Sequence, residues 1–222
     1  MSDINQILGK LIGSGAAGGF AGGLAGGLAS SLVTTKSGRK MGKNALKMGG
    51  IAAVGALAYA AYQRYSAGGN APGAGTTPAP DSHLAPPPEG SAFIPASNDS
   101  AGMEKLGFTL VRAMIAAARS DGRLDAHESQ TIYQRIESLG LSPEDQNVLV
   151  AEMGRPVDVD AIVASATSPE IAAEIYVASL LAVDVDTAAE ESYLAMLAAR
   201  LNLAPELVSE LQRQVAAQQE SG

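Results

Sequence analysis

The hydrophobic positions in the C-terminal half of the chain recur with the period of an α-helix. In the stretch "MEKLGFTLVRAMIAAARS", Leu106, Leu110 and Met114 share one face with Ala117. Further stretches of the same kind follow, separated by short breaks rich in Pro, Gly and Asp. The pattern predicts an all-α fold, a compact bundle of about seven helices between residues 101 and 222.

Short polar motifs indicate where these helices begin and end. Pairs of a small residue and proline are typical helix starts, and a glycine commonly follows a helix end. Asp125 with Glu128, and Thr187 with Glu190, have the spacing of capping boxes. We therefore expect helices to begin at Asp125, Ser142-Pro143, Asp158, Ser168-Pro169, Thr187 and Ala204-Pro205, and to end near Gly140 and Gly154.

The N-terminal part contains an uncharged, glycine-rich stretch, "GAAGGFAGGLAGGLASSLV". No charged residue occurs from Leu11 to Thr35, a length of about 37 Å as a helix, which is enough to cross a bilayer. Glycines repeat at every fourth position in two neighbouring rows, the pattern by which membrane helices pack closely. The predicted helix-packing residues are Gly18, Gly19, Gly22, Gly23, Gly26 and Gly27.

Other interpretations of this stretch stay open. A phosphate-binding glycine loop requires a preceding strand, which the sequence does not predict. A flexible linker would contain more Ser, Thr and Pro. A cleaved secretory signal would begin with basic residues and have a leucine-rich centre. A soluble, self-associating segment is the remaining alternative.

A second uncharged segment runs from Met48 to Gln63, and tyrosines follow near its end. A basic run containing Lys36 and Lys47 lies between the two uncharged segments. Basic residues near membrane segments stay on the cytoplasmic side. If both segments cross, or only the second does, the C-terminal domain faces the periplasm.

Composition shifts divide the chain into three parts. Residues 1–65 form the glycine-rich, membrane-associated segment. Residues 66–100, rich in Pro, Gly and Ala, are expected to be an unpacked linker with "AFIP" as the one apolar patch. Residues 101–222 form the helical domain. His83 in the linker is expected to be solvated.

The charges are distributed unevenly. Residues 1–99 contain seven Lys or Arg and four Asp or Glu, whereas residues 100–222 contain eight and nineteen. The net charge of −8 therefore combines a basic N-terminal part with a strongly acidic C-terminal domain, which disfavours nucleic acid as a partner because phosphates repel it. The chain has no cysteine, which excludes disulfides and thiolate metal sites.

Two acidic turns are the candidate binding site. Hard cations such as calcium take six or more oxygen ligands, which two opposed acidic turns would supply. The spacing is not that of an EF-hand. The candidate metal ligands are Asp121, Asp125, Glu128, Asp184, Asp186, Glu190 and Glu191.

Helix capping is the competing explanation for these carboxylates. Asp125, Glu128, Thr187 and Glu190 are explained by capping alone. Asp121 and Asp184 are expected at helix ends, where a negative charge opposes the helix dipole. They therefore need another partner, for which Arg119 is one candidate. The sequence has no nucleophile elbow, catalytic triad or zinc signature, so we expect no enzymatic activity.

The turn "ARSDGRLDAHE", its partner "AVDVDTAAEE" and the breaks "LGLSPE" and "LNLAPE" together resemble the TerB-like tellurite-resistance domain. With its glycine-rich front, the chain resembles the YebE-type uncharacterised inner-membrane proteins. The resemblance implies an all-α, membrane-associated bacterial protein linked to envelope or chemical stress. It also implies an acidic surface that binds divalent metal, and a domain that is often cytoplasmic, against the orientation that the charges favour.

These observations predict a non-enzymatic protein of the bacterial inner membrane that self-associates through its glycine-rich helix. Its acidic domain is expected to bind a protein partner or a divalent cation. The alternative is a soluble oligomer that senses or sequesters metal.

Overall fold

The fold is all-helical in the part of the chain that the computed structural model describes, namely Ile4, Leu8 and residues 50–66, 86–120, 143–183 and 187–220. This confirms the all-α expectation for those residues, where the sole β feature is an isolated bridge between Ser91 and Ile94. The described helices are α1 (Gly50–Ser66), α2 (Ser100–Ala118), α3 (Pro143–Met153), α4 (Val159–Ala164), α5 (Pro169–Leu181), α6 (Ala188–Arg200) and α7 (Pro205–Glu220).

Several helices begin at the capping motifs that the sequence predicts. The Asp158 side chain accepts a hydrogen bond from a backbone N–H of α4, and Ser168 does the same for α5, where Pro169 is the first helical residue. Thr187 and Glu190 form a complete capping box at the start of α6. The predicted starts of α4, α5 and α6 are therefore confirmed, and α7 begins at the predicted proline.

An asparagine ends α6. Asn202 has a φ of 54°, the left-handed conformation that glycine usually supplies after a helix. The N–H groups of Asn202 and Leu203 donate to the carbonyls of Ala199 and Ala198, both at 3.1 Å, which is the Schellman arrangement. This turn directs the chain into α7.

Helix α5 is the centre of the core. Its ten residues from Ala172 to Leu181 are all buried, and the helix contacts α1, α2, α6 and α7. A helix that is apolar on every side must be covered on every side, which explains why four helices surround it. One acidic residue, Glu174, lies inside this apolar run.

Helix α1 packs into this same core, against α5 and α7. Ile51, Val54 and Leu57 are at most 4 % exposed, and they join one continuous hydrophobic cluster with the C-terminal helices. We had assigned this uncharged segment to a separate membrane-associated unit. The structure corrects that assignment for residues 50–65, because their apolar face is covered by protein.

No described helix has both the length and the hydropathy that a membrane crossing requires. The two described residues before α1 also join the core. Ile4 lies so close to Gly107 of α2 that a Cβ atom there would be 2.7 Å from an Ile4 methyl group. Gly107 is therefore needed for this close approach.

Residues 86–99 are packed, although the sequence analysis assigned them to an unpacked linker. Phe93, the aromatic residue of the "AFIP" patch, is 5 % exposed. Its ring lies edge-on to Tyr59 and Tyr62 of α1, with ring centroids 5.4 and 5.6 Å away. Burying a phenylalanine is worth about 2–3 kcal/mol, enough to fix this segment on α1.

Candidate functional site

Most of the predicted metal ligands fall outside the described residues, and so do all six glycines of the predicted packing stripe. Asp121, Asp125, Glu128, Asp184 and Asp186 are outside, and Glu190 and Glu191 are inside. The described residues contain no group of three or more acidic or histidine side chains placed to hold a metal ion. The cation site and the glycine stripe therefore stay predictions.

The two described members of the acidic set have different surroundings. Glu190 is 3 % exposed, and its carboxylate accepts hydrogen bonds from the backbone N–H of Thr187 at 3.1 Å and from its hydroxyl at 2.9 Å. Glu191 is exposed on the first turn of α6. Capping thus accounts for Glu190.

A cleft of about 380 Å³ lies between α2, α3 and α4. Ile115, Ala116 and Ile162 supply apolar lining, and Val157 stands exposed at the chain reversal that precedes α4. The charged lining residues are Arg112, Glu152, Arg155 and Asp158. The cleft therefore combines an apolar surface with charged groups of both signs.

An ion pair organises the charged side of this cleft. Nε and Nη2 of Arg112 donate to the two carboxylate oxygens of Glu152 at 2.7 and 3.2 Å, and Arg155 lies 3.0 Å from the same carboxylate. The hydrogen bond from Arg112 is the main cause that lowers the pKa of Glu152, and the arginine pKa is raised in return. Arg112 also lies over the Phe108 ring, 5.7 Å from its centroid.

A third arginine holds the end of α3. Nη1 of Arg119 donates to the carbonyls of Met153 and Arg155, at 3.2 and 3.0 Å, which satisfies acceptors that a helix end leaves free. Asp121, for which Arg119 is a predicted partner, lies outside the described residues, so that pairing stays a prediction. Among the described residues, Arg119 caps α3.

Glu174 is the most unusual group in the described core. Its side chain is 0 % exposed, and neither carboxyl oxygen has a hydrogen-bond partner among the described residues. Burial raises its pKa to about 9, with a further contribution from Glu170 one turn earlier. A carboxyl group without a charged partner avoids the cost of burial by staying protonated.

The carboxyl group of Glu174 lies against α1. A Cβ atom placed on Gly55 would be 2.9 Å from Oε1 of Glu174 and 3.3 Å from the carbonyl oxygen of Phe93. Gly55 therefore makes room for the carboxyl group where α1, α5 and the 86–99 segment meet. We had not selected Glu174 from the sequence, although a single glutamate inside "IAAEIYVASLL" was a visible signal.

A second cleft of about 370 Å³ lies at the end of α1. Tyr62 and Tyr65 line one side, and the turns before α5 and α7 line the other. Tyr65 is 38 % exposed, so this cleft has an accessible aromatic edge.

These sites lie within a chain that matches one known family almost throughout. Residues 18–215 match the family model described as a protein of unknown function, DUF533. A curated relative, the uncharacterized protein in the ampR 5′ region of Yersinia enterocolitica, is 30 % identical over 94 residues, which are 42 % of this chain and 68 % of the relative. No solved structure matches the chain.

The family match covers the clefts and the core around Glu174 as well as the glycine-rich front, so it concerns the whole architecture. The chain belongs to the DUF533 family.

Proposed function

We propose that this chain is a non-enzymatic protein of the bacterial inner membrane, in which the segment from Leu11 to Thr35 anchors an acidic helical domain that binds a protein partner. The observation that carries the proposal is the packing of α1 against α5 and α7. With α1 inside the domain, the Leu11–Thr35 segment is the remaining uncharged stretch long enough to cross a bilayer. The anchor then leads into the core helix α1 instead of into a long tether.

The same packing changes the expected orientation. If Leu11–Thr35 alone crosses, the basic run that follows it lies on the same side as the domain. Basic residues flanking a crossing segment stay cytoplasmic, so the domain is proposed to be cytoplasmic. This agrees with what the TerB-like resemblance implies, and it replaces the periplasmic orientation expected when α1 crosses. The basic residues concerned are Lys36, Arg39, Lys40, Lys43 and Lys47.

The cleft beside Glu152 supports a protein partner over a cation. Among the described acidic residues, Glu152 and Glu210 pair with arginines and Glu190 caps a helix. By contrast, the cleft offers an apolar lining next to Arg155, whose side chain is 63 % exposed. A peptide segment with one apolar side chain and one carboxylate has the chemistry to occupy it.

Reporter topology together with fractionation tests the anchor. A reporter fused after Gly222 is expected to be active in the cytoplasm, and the full chain is expected to resist carbonate extraction from membranes. Replacing Gly22, Gly23 and Gly26 with leucine is expected to keep membrane residence but weaken self-association. A periplasmic signal from the reporter contradicts the orientation, and full release by carbonate contradicts the anchor.

Two variants test the cleft. Ala161→Arg places a long side chain into the cleft from α4, whereas Ala216→Arg adds the same charge on the exposed face of α7. Chemical cross-linking in cells is expected to give a partner adduct that Ala161→Arg removes and Ala216→Arg retains. Equal adducts in both variants exclude the cleft as the binding site.

A divalent cation remains the second ligand to test, because five of the seven predicted ligands are outside the described residues. Calorimetry of the full chain with calcium, magnesium and manganese is direct. No heat, together with no change of melting temperature at millimolar ion, ends the cation proposal.

A soluble oligomer that senses or sequesters metal is the second candidate function. The observation that favours it is again the packing of α1, because a helix whose apolar face is covered by protein does not require lipid to bury that face. A soluble full-length oligomer in cell extracts supports this candidate and contradicts the first. The link to envelope or chemical stress, which rests on the TerB-like and YebE-type resemblance, predicts sensitivity to tellurite or envelope stress when the protein is removed.

A further inference from the structure

Helix α1 packs against a buried carboxyl group, that of Glu174, and burial of this group is costly if it is ionised. Glu174 is fully buried and has no hydrogen-bond partner, and Gly55 provides the space in which its carboxyl group lies. An ionised carboxylate in that position would be shielded from water and would have no hydrogen-bond donor among the described residues. The arrangement is stable when Glu174 carries a proton.

We propose that Glu174 couples the docking of helix α1 to the uptake of one proton, so that α1 leaves the bundle when Glu174 ionises. When α1 and the 86–99 segment leave the bundle, they uncover one side of the carboxyl group, and water reaches it. Helix α5, which carries Glu174, lies at the centre of the core, and opening of its other contacts exposes much more apolar surface. The proposal goes beyond the membrane role and holds for either candidate function.

The surrounding charges do not offer Glu174 a partner. From Gly50 to Gln63, helix α1 contains no Asp, Glu, Lys, Arg or His. Within the described part of the chain, Glu170 is the group whose charge acts on Glu174, and it disfavours ionisation. The other titratable residues of the described elements around α5 are Tyr59, Tyr62, Arg64 and Tyr65 on α1, Glu89 and Asp99 in the 86–99 segment, Glu104, Lys105 and Arg112 on α2, Tyr176 on α5, Glu190, Glu191, Tyr193 and Arg200 on α6, and Glu206, Glu210, Arg213 and Glu220 on α7.

The attachment of α1 elsewhere is consistent with a helix that can be released. Near its C-terminus, Arg64 lies 3.4 Å from Glu210 of α7, but the arginine side chain is 62 % exposed. An exposed ion pair of this kind contributes little to stability. The apolar face of α1 therefore provides most of its attachment, and the Glu174 contact lies within that face.

Hydrogen exchange of the full chain tests the proposal, with the wild type compared with Glu174→Gln at pH 6, 7 and 8. Amide exchange has the same intrinsic pH dependence in both proteins, so this dependence cancels in the ratio of wild type to variant. For α1 amides, the ratio of wild-type to variant opening constants is expected to rise about tenfold per pH unit. Amides of α2 and α6 that exchange only by global unfolding are expected to show the same rise, because the unfolded state also releases the proton. Their opening constants are expected to be smaller than those of α1 at every pH, because α1 opens without unfolding of the other helices.

Two further variants complete the test. Glu174→Met also removes the titrating group and keeps the unbranched shape, so it is expected to behave as Glu174→Gln does. Glu191→Gln removes an exposed carboxylate and is expected to match the wild type at every pH. A ratio for α1 that does not change with pH overturns the proposal. Equal opening constants in α1, α2 and α6 also overturn it, because α1 would then open only when the whole protein unfolds.

Discussion

Replacing Glu174 with glutamine is expected to make the protein more stable at neutral pH and to remove most of the pH dependence of its stability. The glutamine has nearly the same shape and stays neutral at every pH. In the wild type, the pKa of Glu174 is about 9 when folded, against an ordinary value of 4.5 when the chain is unfolded. The folded state therefore holds one proton more than the unfolded state between these two values.

The sign and size of the effect follow from proton linkage. The stability that this group contributes is complete below pH 4.5 and is lost as the pH rises towards 9. A rise in pH favours the state that binds fewer protons, which in this range is the unfolded state. Each pH unit in that window costs about 1.4 kcal/mol. At pH 7 the wild type is therefore about 3 kcal/mol less stable than it is at low pH, as far as this group is concerned.

Urea unfolding at several pH values measures this effect. Far-UV circular dichroism is the suitable signal, because the chain is helical and has no tryptophan. The stability difference between Glu174→Gln and the wild type is expected to grow by about 4 kcal/mol from pH 5 to pH 8. Since any fixed cost of burying the amide is the same at both pH values, it drops out of this comparison.

The matched control is Glu191→Gln, which removes an exposed carboxylate from α6. Its unfolding free energy is expected to follow the wild type within about 0.5 kcal/mol throughout the range. If the Glu174→Gln and wild-type profiles run parallel from pH 5 to pH 8, the buried carboxyl group is not neutral in the folded protein. The reasoning about its burial would then be wrong.

Three further substitutions test other parts of the structure by the same unfolding assay. Phe93→Ala is expected to cost about 3–4 kcal/mol, because the ring is buried against α1, and a loss below about 1 kcal/mol would mean that the segment is not packed. Thr187→Ala removes a capping-box side chain and is expected to cost about 1 kcal/mol, whereas Thr187→Ser keeps the hydroxyl and most of the stability. Arg112→Ala leaves Glu152 with Arg155 alone and is expected to cost about 1–3 kcal/mol at pH 7. Because the pKa of Glu152 is lowered by Arg112, that loss should shrink as the pH falls and Glu152 is protonated, and a pH-independent loss would contradict the ion-pair explanation.

Local motifs predicted the described helix boundaries well. Ser168-Pro169 and the Thr187–Glu190 pair each combine a side-chain acceptor with the backbone N–H groups that a helix start leaves free, so the signal is contained in a few adjacent residues. The hydrophobic period was likewise sufficient to predict an all-helical domain. These features depend on local geometry, which a short stretch of sequence determines.

The environment of α1 and of Glu174 was not predictable in the same way. Helix α1 is uncharged from Gly50 to Gln63, and such a stretch has the same hydropathy whether lipid or protein covers it, so the sequence of α1 alone does not decide between them. The protonation of Glu174 depends on which helices surround it, and these are distant in the sequence. Phe93 was missed for a related reason, since one aromatic residue in a proline-rich stretch gives no periodic signal.

The position of α1 also determines which part of the chain is able to fold alone. Ile51, Val54 and Leu57 are buried against the C-terminal helices, and at about 2 kcal/mol each their burial contributes about 6 kcal/mol. That amount is comparable with the whole stability of a typical domain. A fragment of residues 100–222 would also lose Phe93 and expose α5 where α1 covers it. Such a fragment is therefore expected to melt at a clearly lower temperature than residues 50–222, which retain this contact. If the shorter fragment melts cooperatively near the temperature of the longer one, α1 does not belong to the folding unit.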